Sequence, residues 1–171
     1  LEKADSGKIS FCGSDLPKNN KHIRGLICLV SDLLHLDDHL TVTDTLNFLL
    51  TAYSIKKERK LATLEYLLEK TGLQKNRDSQ IQYLSAGFRQ RLRLAASFLP
   101  HFKLFLFDEP FKDLDIWMKK KTIHHIQELA NQGKSIILAT HFLDDLKSVA
   151  HRLAIIQNGR FEDIVDLKAE A

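Results

Sequence analysis

Two adjacent carboxylates that directly follow a short apolar run are the strongest chemical signal in the sequence. Residues 104–107 read Leu-Phe-Leu-Phe and lead into Asp108 and Glu109. The run predicts a buried strand, and a carboxylate at the carboxyl end of such a strand lies at the ligand-binding edge of an open α/β sheet. Because adjacent strand residues point to opposite faces, the two acids cannot do the same job. Taken alone, the pattern also fits an acid pair that caps the following helix.

A Leu-Ser-Ala-Gly turn upstream of the acids forms the second signal. Ser85 and Gly87 lie at the start of a predicted helix that runs from about Ala86 to Leu99 and ends before Pro100. A helix N-terminus presents unpaired amides and a partial positive charge, which suit a phosphate. Ser85 adds a hydroxyl donor, and Gly87 permits close approach of the backbone. By itself, the turn is better explained as a serine N-cap on an amphipathic helix.

Two further side chains follow in an informative order. His141 comes just after the apolar run 136–138, and an imidazole at that edge of a sheet can orient water, accept a proton or stabilise charge. A lone histidine at a strand end is more often incidental, so its position after the acid pair is what makes it a candidate. Asp115 precedes a predicted helix over 116–131 and fits the N-terminal cap of that helix.

The elements that must position these residues alternate between strands and helices, which implies a parallel sheet. Continuous apolar runs predict strands covered on both faces. In the helix over 57–70, Leu61, Leu64 and Leu68 are expected on the buried face. Asn158-Gly159 predicts a hairpin turn of type I′. The predicted strands span 26–30, 103–107, 136–138, 153–157 and 161–165, and the predicted helices span 41–54, 57–70, 86–99, 116–131 and 144–150.

Read in order, Leu84 to Asp115 resembles the signature motif, Walker B strand and D-loop of the ATP-binding-cassette (ABC) ATPases. The resemblance implies an α/β, P-loop-NTPase-like fold with a mostly parallel sheet, flanking helices and a helical subdomain. It places the core in residues 1–42 and 100–171 and the helical subdomain, with the signature helix, in residues 43–99. The continuous run TVTDTLNFLL and the Asp-Glu-Pro-Phe sequence are most similar to bacterial export-type subunits, including haem exporters.

The same resemblance implies ATP and Mg²⁺ as ligands. In the family the first acid of the pair holds magnesium, usually through water, and the second polarises the attacking water, which assigns those roles to Asp108 and Glu109. The histidine of the switch loop contacts the terminal phosphate, and His141 matches it.

Dimerisation is also implied by the resemblance. Residues in the positions of Ser85, Gly87 and Asp115 contact the ATP or the body of the opposite subunit. The expected partners are therefore a second nucleotide-binding subunit and a transmembrane permease subunit. The expected location is the cytoplasmic face of the membrane, as a peripheral subunit.

The sequence departs from the family pattern at three places. The phosphate loop G-x-x-x-x-G-K-[ST] is not found; because the chain begins at Leu1, we expect a fragment whose loop precedes that residue. Asp32 stands where a glutamine is expected, and it could bind Mg²⁺ while adding negative charge near the phosphates. Phe111-Lys112-Asp113 stands where small residues are usual.

Composition narrows the choice of function. Net charge is +3 without a basic stripe, so no nucleic-acid partner is expected. Cys12 and Cys28 lack the spacing of a zinc site and are expected to be reduced thiols.

The first interpretation is the ATP-hydrolysing subunit of a transporter. The alternatives are a degenerate, non-catalytic regulatory or assembly protein of ABC fold, or a soluble ABC ATPase that acts on nucleic acid or ribosomes.

Overall fold

The computed structural model describes residues 5–11, 14–15, 23 and 25–167. Cys12 lies outside these residues. The elements, in chain order, are β1 (Ser10–Phe11), β2 (Ser14–Asp15), β3 (Ile27–Val30), α1 (Val42–Ala52), α2 (Lys57–Thr71), 3₁₀ turns at Gln74–Asn76 and Ile81–Tyr83, α3 (Ala86–Leu94) with a 3₁₀ continuation (Ala95–Phe98), β4 (Leu104–Asp108), α4 (Ile116–Asn131), β5 (Ser135–Ala139), α5 (Leu143–Lys147), β6 (Arg152–Gln157) and β7 (Arg160–Asp166).

A parallel sheet of order β3–β4–β5 positions the candidate site. Val30 pairs with Phe107, and Asp108 pairs with Ala139, so the three strands end at one edge. Parallel neighbours need crossover connections, which the helices between these strands provide. Ser31 and Asp108 therefore lie beside each other at this edge, which the sequence could not specify without the strand order.

The described residues cover only one face of this sheet. Cys28 and Phe105 are fully buried, whereas Leu29 is 39% exposed and Ile137 is 62% exposed. The prediction that β3 and β5 are covered on both faces is therefore wrong for the part of the chain that the structure describes. Successive strand residues point to opposite faces, and the helices pack against the face that carries Cys28 and Phe105.

The segment between β3 and β4 is helical. Thr41 and Asp44 form the capping box that starts α1, with Asp44 N donating to Thr41 Oγ1 at 3.0 Å. Gly72, in a left-handed conformation with φ of 68°, ends α2. On α2 the predicted burial of Leu64 and Leu68 is confirmed, but Leu61 is 69% exposed and that prediction is wrong. Leu67, which was not predicted, is fully buried. The division at residues 43 and 99 remains a prediction.

The hairpin β6–β7 closes the described chain. Its turn residues Asn158 and Gly159 have φ of 50° and 74°, as a type I′ turn requires, and the predicted hairpin is confirmed. No helix within the described ranges has the length and apolar character to cross a bilayer.

Candidate functional site

Asp108 ends β4 and is held by Ser31, the residue that directly follows the neighbouring strand β3. Ser31 Oγ donates to Asp108 Oδ2 at 3.0 Å. Ser31 is only 3% exposed, and its oxygen also accepts from Leu33 N at 3.2 Å. The buried hydroxyl therefore fixes one oxygen of the carboxylate and leaves Oδ1 for another ligand. Sequence analysis missed Ser31, although its place directly after an apolar run was a usable signal.

Glu109 turns away from Asp108 towards the end of β5. Its Oε2 accepts from Thr140 Oγ1 at 3.0 Å, and its Oε1 accepts from His141 N at 3.0 Å and His141 Nδ1 at 2.7 Å. The Glu109 backbone is left-handed, with φ of 48°. The two neighbouring acids thus have entirely different partners.

These contacts favour the ionised form of Glu109. Burial acts to raise the pKa of Glu109, but the hydrogen bonds from His141 and Thr140 outweigh burial and hold the pKa below its ordinary value. Because the ionised carboxylate is an acceptor, His141 Nδ1 carries the proton. In the neutral ring, Nε2 is then an acceptor. It has no hydrogen-bond partner among the described residues, so it can accept from water or a ligand.

Ser85 begins α3 as predicted. Its Oγ accepts from Phe88 N at 3.4 Å, and the first helical bond runs from Arg89 N to Ser85 O at 3.0 Å. The amides of Ala86 and Gly87 precede that bond and so fall outside the helical ladder. They are the donors that an anion could use.

Gly87 has a packing role that sequence analysis did not anticipate. A Cβ at this position would lie 2.7 Å from the backbone oxygen of Asp113, in the loop after β4. Gln90, which is 2% exposed, reaches the same loop and donates from Nε2 to the backbone oxygens of Glu109 and Pro110, each at 3.2 Å. The start of α3 therefore packs directly on the loop that carries the acids.

Asp115 has two partners at once. Its Oδ1 accepts from Met118 N at 2.9 Å and caps α4, while Oδ2 pairs with the Arg91 guanidinium. The hydrogen bond from Met118 lowers the pKa of Asp115, and Arg91 adds to that effect. The helical segment and the loop after β4 are thus joined by an ion pair.

Asp32 is engaged by a residue of the loop after β4. Lys112 Nζ lies 2.8 Å from Asp32 Oδ2. The hydrogen bond and charge of Lys112 lower the pKa of Asp32, and the same contact raises the pKa of Lys112. Asp32 and Lys112, which both depart from the family pattern, therefore carry opposite charges and pair with each other.

Comparison with known proteins identifies the fold and the family. A family model described as "ABC transporter" matches residues 1–112. The chain belongs to the ABC transporter family. This confirms the resemblance that was drawn from the motifs.

Relatives in the ABC family include two bacterial subunits. The chain is 30% identical over 156 residues to the Nod factor export ATP-binding protein I of Burkholderia thailandensis, covering 91% of this chain and 51% of that protein. It is 32% identical over 165 residues to the arginine transport ATP-binding protein ArtM of Bacillus subtilis, covering 93% of this chain and 68% of that one. The chain thus spans about half the length of the Nod factor relatives it matches.

Two solved structures agree with the ABC fold. One, described as the ATP-binding subunit of an ABC transporter, superposes with a TM-score of 0.85 at 25% identity, covering 96% of this chain and 69% of the other. The second is a dimeric post-hydrolysis state of an ATP-binding cassette bound to ADP and Pi, with a TM-score of 0.86 at 19% identity, covering 98% and 76%. At that identity the second structure supports the fold alone. The predicted fold class is confirmed.

In this ABC chain the donor set suits Mg²⁺. No cage of three or more His, Cys, Asp or Glu side chains occurs in the portion described. Magnesium keeps several waters and takes one or two carboxylates together with substrate phosphates. Asp108 can serve as such a carboxylate ligand. Ser31 orients its Oδ2, and Oδ1 receives no hydrogen bond from Ser31.

The predicted site residues fall into two groups. Asp108, Glu109 and His141 meet at the carboxyl edge of the sheet. Gly87 of α3 packs against the loop 109–115, and Asp115 at the end of that loop pairs with Arg91 of α3. Ser85 caps the same helix.

Proposed function

We propose that this chain is the ATP-binding and ATP-hydrolysing subunit of an ABC transporter and drives transport through a separate transmembrane permease. Family membership and the printed names of the relatives, which are ATP-binding proteins of Nod factor export and arginine transport, support the proposal. The observation that carries it is the separation of the two acids: Asp108 is held by Ser31, and Glu109 is held by Thr140 and His141.

The two acids then have distinct roles. Asp108 would hold Mg²⁺, which would supply positive charge to neutralise the phosphates. Glu109 stays ionised and offers carboxylate oxygens to a water, which it orients for attack on the terminal phosphate. His141 keeps Glu109 in place through Nδ1 and presents Nε2 to the phosphate or to the water.

The start of α3 serves a second subunit. Ser85 and the free amides of Ala86 and Gly87 form an anion-binding turn. Asp115, fixed by Arg91, lies beside it. We assign this turn to the ATP held by a second nucleotide-binding subunit, and we place the assembled pair at the cytoplasmic face of the membrane, bound to the permease.

An unpaired negative charge at Asp32 would favour the alternative of a degenerate, non-catalytic ABC protein, because it would weaken the binding of phosphates. Lys112 pairs with that carboxylate at 2.8 Å, so the charge is offset within the chain. With that argument weakened, the names of the relatives favour the transport subunit over a regulatory protein and over a nucleic-acid ATPase.

Glu109→Gln in the complete protein tests the proposal. The amide keeps the size of the side chain but cannot act as a carboxylate towards water, so we expect ATP binding to persist while turnover falls by about 100-fold or more. Binding is measured by titration calorimetry with MgATP, and turnover by release of phosphate.

Glu128→Gln is the matched control, because Glu128 is an exposed residue of α4 whose carboxylate lies 3.2 Å from His124. Its turnover should equal that of the unmodified protein. Full turnover in Glu109→Gln would refute the role of Glu109, and failure of the complete protein to bind MgATP would refute the proposed function.

A further inference from the structure

The loops after β3 and β4 are joined by a closed ring of contacts around the two acids. Ser31 Oγ donates to Asp108 Oδ2 at 3.0 Å, and Lys112 N donates to the Glu109 backbone oxygen at 3.2 Å. The ion pair between Lys112 Nζ and Asp32 Oδ2, at 2.8 Å, closes the ring, since Asp32 follows Ser31 and Glu109 follows Asp108. Disrupting the ion pair therefore opens the ring on the side away from Ser31.

The surroundings of Lys112 are acidic. Asp113 is its neighbour in the chain, and both Asp113 and Glu109 act electrostatically on its ammonium group. Lys112 also lines a cavity of about 350 Å³ together with Asp113 and His141. The Lys112 side chain is half-exposed, so the contact with Asp32 contributes little to folding stability. Its main effect is on the charge at this edge of the sheet.

We propose that Lys112 is a positioning residue that neutralises Asp32 beside the nucleotide phosphates and keeps the Asp32 carboxylate out of the magnesium site. The inference rests on the proposed function. In this arrangement Asp108 is the carboxylate that remains for the magnesium ion. The negative charge of Asp32 is compatible with phosphate binding only because Lys112 pairs with it.

A double-mutant cycle in the complete protein tests this pairing. Lys112→Met removes the charge and keeps the length, which leaves Asp32 negative near the phosphates; we expect the affinity for MgATP to fall about fivefold. MgADP has one phosphate fewer, so its affinity should fall by a smaller factor. Adding Asp32→Asn to Lys112→Met should restore both affinities to within about twofold, because no unpaired charge remains.

Two further variants separate charge from structure. Lys112→Arg keeps the cation and should retain the affinity for MgATP. Lys147→Met removes a comparable exposed pair, Lys147 with Asp144 at 2.9 Å on α5, and should change nothing. Affinities are measured by titration calorimetry, and thermal unfolding is followed for every variant.

The outcomes are distinct. The inference would be overturned if the loss of MgATP affinity in Lys112→Met persisted after Asp32→Asn was added. It would also be overturned if the loss were equal for MgATP and MgADP and came with a lower unfolding temperature. Either result would leave the proposed function standing. Unchanged affinity in Lys112→Met would likewise overturn the inference and leave the proposed function standing. Absence of MgATP binding by the unmodified protein would overturn both.

Discussion

Ser31 and Asp108, which lie 77 residues apart in the chain, share a hydrogen bond of 3.0 Å at the edge of the parallel sheet. The bond exists because β3 and β4 are neighbours with Val30 opposite Phe107, so the residues after these positions emerge together. A buried hydroxyl in this place orients the carboxylate before any cation arrives.

Removing the Ser31 hydroxyl should weaken the binding of magnesium. In Ser31→Ala, Asp108 loses its orienting donor, and loss of such an outer contact typically lowers metal affinity by about 10-fold or more. The measurement is the concentration of Mg²⁺ that gives half-maximal nucleotide binding in the complete protein. Ser148→Ala, which removes a hydroxyl that donates to a backbone oxygen of α5, is the control. An unchanged requirement for Mg²⁺ would mean that Ser31 only packs.

Adding one methyl group at Gly87 should destabilise the protein. In an open helix, replacing glycine with alanine is stabilising by about 1 kcal/mol. Here the new Cβ would lie 2.7 Å from the Asp113 backbone oxygen, which cannot rotate away as a side chain would. We therefore expect Gly87→Ala to lower the free energy of unfolding by about 1–2 kcal/mol. Denaturant unfolding measures it.

Ala86→Gly calibrates that experiment, since the exposed neighbour lies in the same turn. It should cost less than about 1 kcal/mol. A more stable Gly87→Ala protein would show that the loop carrying Asp113 moves aside without penalty, and would contradict the packing role of Gly87.

Asp115 should show which of its two contacts matters for stability. Asparagine caps a helix about as well as aspartate, whereas alanine does not, and loss of a cap costs about 1 kcal/mol. We expect Asp115→Ala to lose that amount and Asp115→Asn to lose less than half of it, as measured by denaturant unfolding. Equal losses would place the stabilisation in the ion pair with Arg91 instead of the bond from Met118.

The half-buried histidine of α4, His125, predicts a pH-dependent stability. His125 stacks on Phe98 with ring centroids 4.0 Å apart, and its Nε2 lies 3.1 Å from Ser97 O. Burial lowers the pKa of His125 from 6.5 to about 4. Between those values the unfolded chain binds more protons than the folded chain, so the free energy of unfolding falls as pH falls through that window, by about 2 kcal/mol.

Denaturant unfolding at pH 7 and pH 4.5 checks this expectation. His125→Phe keeps an aromatic ring against Phe98 but cannot titrate, so much of the loss on acidification should disappear. His124→Gln, at the exposed neighbouring position, should leave most of the loss in place, because His124 has the smallest of the electrostatic effects on His125. An unaltered pH dependence in His125→Phe would assign the effect to other groups.

The chemistry of the site was more predictable than its connections. An apolar run followed by acids identified Asp108 and Glu109, because buried strands have a local composition signal. Ser31 and the Asp32–Lys112 pair were not predicted as partners, since they depend on which strands are neighbours and on their register. No spacing within the sequence carries that information.

The exposed faces were predicted least well, for a physical reason. In α2, Leu61 and Leu67 both lie at helical spacing from Leu64, so periodicity alone allows two overlapping buried faces. Packing against α1 and the 3₁₀ segment after α3 buries Leu67 and leaves Leu61 exposed. Likewise, an apolar run such as the one in β5 cannot report that Ile137 faces away from the helices.

Glu109 occupies a backbone conformation, with φ of 48°, that L-residues adopt at a cost and glycine adopts freely. Glycine in its place would relax the turn, and asparagine would tolerate it better, yet either would delete the carboxylate. Under the proposed function, the cost of this turn is therefore offset by the position that it gives the carboxylate, which Thr140 and His141 hold between the ends of β4 and β5.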